Sequence, residues 1–380
     1  MSTRKLPNNP MGGLTLVELL VAITLGAIIL GGAVTLFVNN RDTYNTTNEL
    51  SRLQETARYA LDMMVKDIRM AGYFGCADRG DTVTLNVPVV DAGELWDINM
   101  DPGAGAIIPP IEGFEAAFPA NEFMPSGFDV TVGTNGAGGE VLAGTDAITL
   151  RYIAGSMIDV APANGTLDYQ VTADAVNGAS STITADSTTG FALNQVAAIA
   201  DCGGSDIFQI TAAPTATTVQ ANALSRGYNA ASSPMIAPYV GVRYYVGDNG
   251  NGPGGEVYPS LYRTIITPGA LTESNQELFE GVEFMQILYG VDTSGNGIPD
   301  SYVRSGDAPL STADPAGNWA NIVSVRISIV VRTIDQYGRE IDTNTYTVND
   351  HDDVLSPRFN PVDDNRRRRV FTTTTMVRNL

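Results

Sequence analysis

An α+β protein is predicted, with one long N-terminal α-helix packed on a β-rich head of antiparallel sheet. Three observations carry the prediction. Leu14 to Val38 is an apolar run of 25 residues holding a single charge, Glu18. From Leu50 to Ala71 apolar side chains recur at three- and four-residue steps, the period of one helical face. After Cys76 the chain is rich in Gly, Thr, Val and Asn, and Val323, Val325, Ile327, Ile329 and Val331 alternate with Ser324, Arg326, Ser328, Val330 and Arg332. That alternation is the mark of a half-buried strand.

In chain order, residues 1–13 form a short basic leader with Arg4, Lys5, Pro7 and Pro10, expected to be removed. Residues 14–38 form a helix of about 37 Å, enough to cross a bilayer core of about 30 Å. Gly26, Gly31 and Gly32 interrupt it without a proline. Basic residues ahead of the helix predict a cytoplasmic N-terminus, with everything after Val38 outside the membrane. A lone carboxylate in such a helix calls for a partner. If a peptidase cuts after Gly13, Leu14 acquires a free amine, and the amine of an axially shifted neighbouring copy can meet Glu18.

Residues 39–75 continue the helix as its amphipathic half. Leu50, Leu53, Ala57, Ala60, Met64, Ile68 and Ala71 form the stripe, opposite Arg52, Glu55, Arg58, Asp62, Lys66 and Arg69. Gly72 and Gly75 are the expected stop. A continuous helix from Leu14 to Gly72 spans about 88 Å. Residues 76–380 form the globular head. Strands are expected at 82–90, 147–154, 193–200, 207–212, 240–246, 261–266, 282–291, 322–334, 343–348 and 370–378, the strand at 322–334 being central. Residues 94–144 read as long loop insertions, and about 168–224, rich in Thr and Ala, as a small inserted β subdomain.

The stretch around Gly13, Leu14 and Glu18 resembles the class III leader of type IV prepilins: a basic leader ending in Gly, then an apolar helix with Glu at its fifth mature position. Leu14 departs from the usual Phe. Farther on, RYALDMMVKDIRMAGYFGC (58–76), DCGGSDIFQIT (201–211), PSLYR (259–263), GVEFMQILYGVD (281–292) and TTTTMVRNL (372–380) are similar to the PilW-type minor pilins. The resemblance implies a type IV pilin-like fold and a structural, non-enzymatic subunit that primes pilus assembly, at or near the tip, in support of twitching motility, adhesion or DNA uptake. It also implies cleavage after Gly13 by a prepilin peptidase, N-methylation of Leu14 and an assembly role for Glu18. Expected partners are other minor and major pilins, the inner-membrane assembly platform and a tip adhesin. The implied route runs from a single-pass inner-membrane protein to the pilus at the cell surface.

Charge and cysteine content narrow the functional class. The chain has 42 acidic and 22 basic side chains, a formal charge of −20. Without Arg4 and Lys5 the balance is 20 minus 42, or −22. Such a field repels phosphates, so direct nucleic-acid binding by the head is not expected. Cys76 and Cys202 are the only cysteines. In an oxidising compartment they form a disulfide worth about 4–5 kcal/mol in the chain-entropy model; otherwise they are two buried thiols.

Few residues suggest chemistry. Asp292, Ser294, Asn296, the carbonyl of Ile298 and Asp300, with Gly297 at the turn, match the opening of an EF-hand calcium loop. Val303 stands where that loop has a bidentate glutamate, so calcium would need a further donor such as Glu283, water or another loop. The competing reading is a hairpin turn. No cofactor is otherwise required. Residues 248–256 read as a turn, and the single histidine, His351, as part of a solvated acidic loop. Arg366 to Arg369 reads as a solvated face before the last strand, offsetting Asp350, Asp352, Asp353, Asp363 and Asp364. No phosphate-binding or dinucleotide motif is present. Two rival classes share the leader and helix: a type II secretion pseudopilin, and a membrane-anchored adhesin or hydrolase using the helix as a tether.

Overall fold

A single unbroken helix, Leu16–Met70, is about 82 Å long. The computed structural model describes residues 15–75, 83–85, 110–114, 140–142, 144–153, 169–250, 256–267, 272–310, 319–336, 341–348, 358–361 and 364–379. The helix starts two residues later than predicted, because Thr15 is its N-cap, and ends at Met70. Ala71 leaves the helical region, and its N–H still reaches the carbonyls of Asp67 and Ile68. Gly72 then takes φ +76°, where a Cβ would sit 2.7 Å from the Asn379 carbonyl oxygen. Asn379 in turn donates to the carbonyl of Arg69 at 3.0 Å. The end of the chain therefore caps the end of the spine.

The second half of the helix packs on the head as its stripe predicts. Leu53, Ala57, Ala60, Met64, Ile68 and Ala71 are buried, each large member contributing about 1.5–3 kcal/mol, while Leu50 is half-buried. Leu61, Glu49 and Asp67 join the buried face, which the apolar pattern did not show. Asp67 accepts from the Tyr244 hydroxyl at 2.5 Å and pairs with Arg263 at 2.9 Å. Burial, then the Asp67 charge, pushes the Tyr244 hydroxyl well above its usual pKa. An ion pair held this way fixes the helix along its own axis against the sheet, which small apolar side chains alone do loosely.

Two large sheets and two small two-stranded ones make up the described part of the head. The first is four-stranded and antiparallel, in the order Ser301–Val303, Val282–Val291, Ile322–Arg332, Arg368–Met376. Its face carrying Val325, Ile327, Ile329 and Val331 shares one core with the helix. Ile322–Arg332 was expected to be half-buried, but both of its faces are covered. The back face packs Val330 with Phe284 and Val348. Its polar side chains are paired: Ser328 with the Thr372 hydroxyl at 2.7 Å, Ser324 with the Tyr302 hydroxyl at 3.0 Å. Buried polar groups are tolerable when satisfied in this way.

The second sheet, ten-stranded among the described residues, is organised on Met235–Asp248. One end of that strand pairs with Val196–Asp201; the other lies between Pro259–Thr267 and Ala147–Ile153. Ile111–Phe114, a strand inside the stretch read as loop, adds to Ala147–Ile153. Thr272–Glu280 was also missed; its polar sequence reads poorly as strand, and pairing with Pro259–Thr267 makes it one. A separate apolar cluster, including Tyr169, Ile183, Phe208, Val219, Tyr228 and Ile236, gathers where the inserted subdomain is expected. It includes an antiparallel pair, Gly178–Thr184 with Thr218–Leu224, two strands beyond those the sequence predicts.

Removing one partner of a buried ion pair leaves the other charge uncompensated. Asp67→Ala should therefore cost about 3–5 kcal/mol in urea denaturation of the detergent-solubilised chain. Asp62→Ala, on the exposed face in a loose pair with Arg58 at 3.8 Å, should stay within about 0.5 kcal/mol. Equal losses would show that Asp67 does not anchor the helix.

Candidate assembly site

Thr15 begins the helix with extended backbone, φ −76° and ψ 151°. Its hydroxyl oxygen accepts the Glu18 N–H at 3.3 Å, and Glu18 Oε2 accepts the Thr15 N–H and hydroxyl, both at 3.0 Å. This reciprocal pattern is a capping box. The Thr-x-x-Glu spacing spells it in the sequence, where the apolar run drew attention to Glu18 alone. Gly13 and Leu14 lie outside the described residues.

From Leu16 to Val38 the helix is exposed along its length, with Leu16, Ile28, Ile29 and Phe37 at least 70% accessible. It is long and apolar enough to cross a membrane. The Thr24 hydroxyl donates back to the Leu20 carbonyl at 2.9 Å and the Thr35 hydroxyl to the Gly31 carbonyl at 2.9 Å, so neither needs water. Nothing lies within 4 Å of a Cβ built at Gly26, Gly31 or Gly32.

On the head, residues 292–300 form the turn between Val282–Val291 and Ser301–Val303. Asp292 accepts from the N–H groups of Gly295 (2.7 Å) and Gly297 (2.6 Å), and from Ser294. Asp300 accepts from the N–H and hydroxyl of Thr293, each at 2.8 Å. Asn296 Oδ1 accepts the Ile298 N–H. Burial acts to raise the Asp292 carboxyl, yet the N–H donors from Gly297, Asn296 and Gly295 outweigh it and hold it low. The hydroxyl and N–H of Thr293 hold Asp300 low. Glu283, the helper considered from sequence, is instead committed to Arg332 and Arg368. Among the described residues, no group of three or more His, Cys, Asp or Glu side chains gathers in a form that could hold a metal.

The arginine run departs from the solvated face expected. Arg367 and Arg369 are exposed, but the strand period turns Arg366 and Arg368 inward. Arg368 reaches both Asp364 oxygens at 2.8 and 2.9 Å, Glu283 at 2.6 Å and Asp342 at 3.2 Å. Arg366 joins Asp364 to Glu256. Of the carboxylates expected to offset the run, Asp364 does so; Asp350, Asp352, Asp353, Asp363 and His351 lie outside the described residues. Cys202 carries no free thiol. Cys76 also lies outside the described residues. Its neighbour Gly75, at φ +91°, would place a Cβ 2.6 Å from that of Ala200, so the chain after the helix runs against the strand leading to Cys202.

Residues 9–34 match the prokaryotic N-terminal methylation motif. With one long apolar helix on an antiparallel β head, this defines a pilin-like, membrane-anchored protein. Residues 243–379 match type IV pilus-assembly protein W, and the two matches together support a PilW-family type IV pilin. The matched region runs from the middle of the organising strand through the helix-bearing sheet, taking in 259–263, 281–292 and most of 372–380. The similar blocks at 58–76 and 201–211 fall outside it. No curated protein and no solved structure matches the chain.

The buried arginine network sets an acid limit. Burial acts to raise Asp364, but the Arg368 guanidinium and the Arg366 N–H overcome it and bring the carboxyl to about 2. An unfolded aspartate titrates at about 3.9, so between these values the folded protein binds fewer protons and stability rises with pH. Thermal melts should fall steadily as pH drops from about 4 to about 2. Asp364→Asn should flatten that slope, and a flat wild-type profile would contradict the network.

Proposed function

We propose that this minor pilin primes type IV pilus assembly from a position at or near the filament tip, as a structural subunit without catalytic activity. One observation carries the reading: the spine helix is divided into an exposed apolar half and a half locked to a large head. The apolar half suits first a bilayer and then the helical core of a filament. With Arg4 and Lys5 on the cytoplasmic side, the head stands beyond the inner membrane. Prepilin peptidase cuts after Gly13, Leu14 is N-methylated, and Glu18 neutralises the amine of a neighbouring pilin. An unpaired charge is costly in a core without water, so this pairing sets the axial register of the helices. Other minor and major pilins, the assembly platform and a tip adhesin are the proposed partners; motility, adhesion and DNA uptake are the processes such a filament serves.

Mass spectrometry of the sheared surface fraction tests this. A methylated peptide beginning at Leu14 should appear among the pilus subunits in wild type. Glu18→Ala should remove the protein from that fraction while leaving its membrane level unchanged. An uncut N-terminus confined to membranes would favour the anchored adhesin or hydrolase, and fractionation with a secretion system would favour a pseudopilin.

Two smaller proposals concern the head. Ser294 Oγ lies 3.1 Å from Asp292 Oδ1 and 3.3 Å from Asp300 Oδ1, a convergence of oxygens that calcium could share if the carboxylates turn from their N–H donors. Cys76 and Cys202 are proposed to pair. Calcium should then raise the melting temperature and chelation reverse it, while alkylation should add mass only after reduction. Unchanged melts dispose of the cation, and alkylation without reductant disposes of the disulfide.

A further inference from the structure

A cavity of about 240 Å³ lies between the helix and the end of the edge strand Thr272–Glu280, which pairs on one side only. Leu53, Leu278, Phe279, Val331 and Ile334 give it apolar walls. Glu49 lines it at 8% exposure, yet among the described residues nothing donates to its carboxylate or pairs with it. Every other buried acid among those residues has at least two donors. Asp67 and Asp146 accept from side chains and an N–H, Asp206 from Ser225 and Tyr228, and Asp248, Asp292 and Asp342 from their own turns and neighbours. The arginines beside Glu49 leave it alone. Arg332 is held by Glu283, by the Val257 carbonyl at 2.8 Å and by the ring of Tyr258, while Arg52, three residues on, is exposed and forms no ion pair with a described residue. The Thr333 hydroxyl donates to the Asp335 carbonyl.

A carboxylate buried without a partner is costly, so a cation from outside the chain fits here. An acid among apolar walls complements a lysine or arginine side chain, whose stem is apolar and whose head is charged. Glu280, exposed at the end of the strand, lines the same cavity and adds a second carboxylate. Lipid ammonium groups do not reach it: Glu49 stands eleven residues beyond Val38, about 17 Å along the helix, and headgroups add only about 5–8 Å to each side of the hydrocarbon. We propose that this cavity receives a lysine or arginine side chain of a neighbouring filament subunit, with Glu49 as the residue that binds its head. This rests on the filament reading given above and adds to it a contact on the head, outside the apolar core. A neighbour without a basic side chain at that place leaves the carboxylate unpaired, so the cavity also discriminates between neighbours.

Two measurements test this. In the first, the detergent-solubilised full-length chain is titrated with butylguanidinium and butylammonium, with butanol as the uncharged control, and its melting temperature is followed. At least one cation should raise the melting temperature saturably and butanol should not. Glu49→Gln should weaken that response about tenfold, as expected for loss of one charge-assisted hydrogen bond, and Arg52→Ala should keep it. Glu49→Gln should itself melt no lower than wild type, because it removes an unpaired charge and breaks no contact. No response to either cation, a response that survives Glu49→Gln, or Glu49→Gln melting well below wild type would each overturn the proposal. In the second, Glu49→Gln should keep its membrane level and leader cleavage in cells and fall in the sheared surface fraction by a similar factor. An undiminished sheared fraction would overturn the neighbouring subunit as the occupant and leave a free amine as what the titration detects. Glu18→Ala, run alongside, keeps the two readings apart: its normal incorporation would count against the filament reading, while the titration still decides on the cavity.

Discussion

Between Leu16 and Val38 the spine helix buries almost nothing against its own chain. Exposed leucine, isoleucine, valine and phenylalanine side chains over that length cannot stay in water at the usual cost of about 25 cal/mol per Å². The backbone needs no help, because a helix satisfies its N–H and C=O groups internally. Thr24 and Thr35 do likewise with their hydroxyls. What is missing is apolar contact, and either lipid chains or other helices can supply it. A bilayer and a bundled filament core are therefore interchangeable surroundings for this rod, and moving between them changes little in apolar burial. The single charge is different. Glu18 makes one end of the helix sensitive to what stands beside it, while the 20 residues that follow it are largely indifferent.

The other half of the helix faces the opposite problem. Its buried stripe is rich in alanine, with Leu53, Leu61, Met64 and Ile68 as the large members. A surface of small side chains permits close approach and discriminates poorly between one axial position and another a turn away. Asp67 removes that ambiguity, since its oxygens find Arg263 and Tyr244 at one position alone. The sheet meets the same need across its strands. Arg332 and Arg368 converge on Glu283 from the adjoining strands Ile322–Arg332 and Arg368–Met376, so one carboxylate on Val282–Val291 ties all three strands together.

Much of this was legible in the sequence, for definite reasons. Long periodic signals survive averaging, so the helix, its stripe and the strand from Ile322 were readable. What escaped were residues whose roles depend on partners remote in the chain. Asp67 looks like one more polar residue on an amphipathic helix until Arg263 is brought to it. Thr272–Glu280 has a composition unsuited to strands and becomes one beside Pro259–Thr267. In Arg366 to Arg369 the identity of the four side chains masked the strand period, and the alternation of buried and exposed places was hidden under uniform charge. The loop at Asp292 has the oxygens of a cation site, and composition could not say whether N–H donors would claim them first. Thr15 is the exception: its capping box was spelled in four residues and was outweighed by the apolar run around it.

The helix also depends on the far end of the chain. Arg69 donates to the hydroxyl of Thr375, and Asn379 closes the carbonyls that the last helical turn leaves open. These contacts span more than 300 residues. Closure entropy grows only slowly with loop length, so the cost to stability is modest, but such contacts form late. The edge strand Arg368–Met376 must be added before the sheet offers the helix its complete surface. The anchor at one end of the helix is thus competent as soon as its own residues exist, whereas the junction with the head is finished by the last dozen residues of the chain. A subunit interrupted before that strand would keep its anchor and lose the junction, so an intact connection between rod and head itself reports that the head has folded.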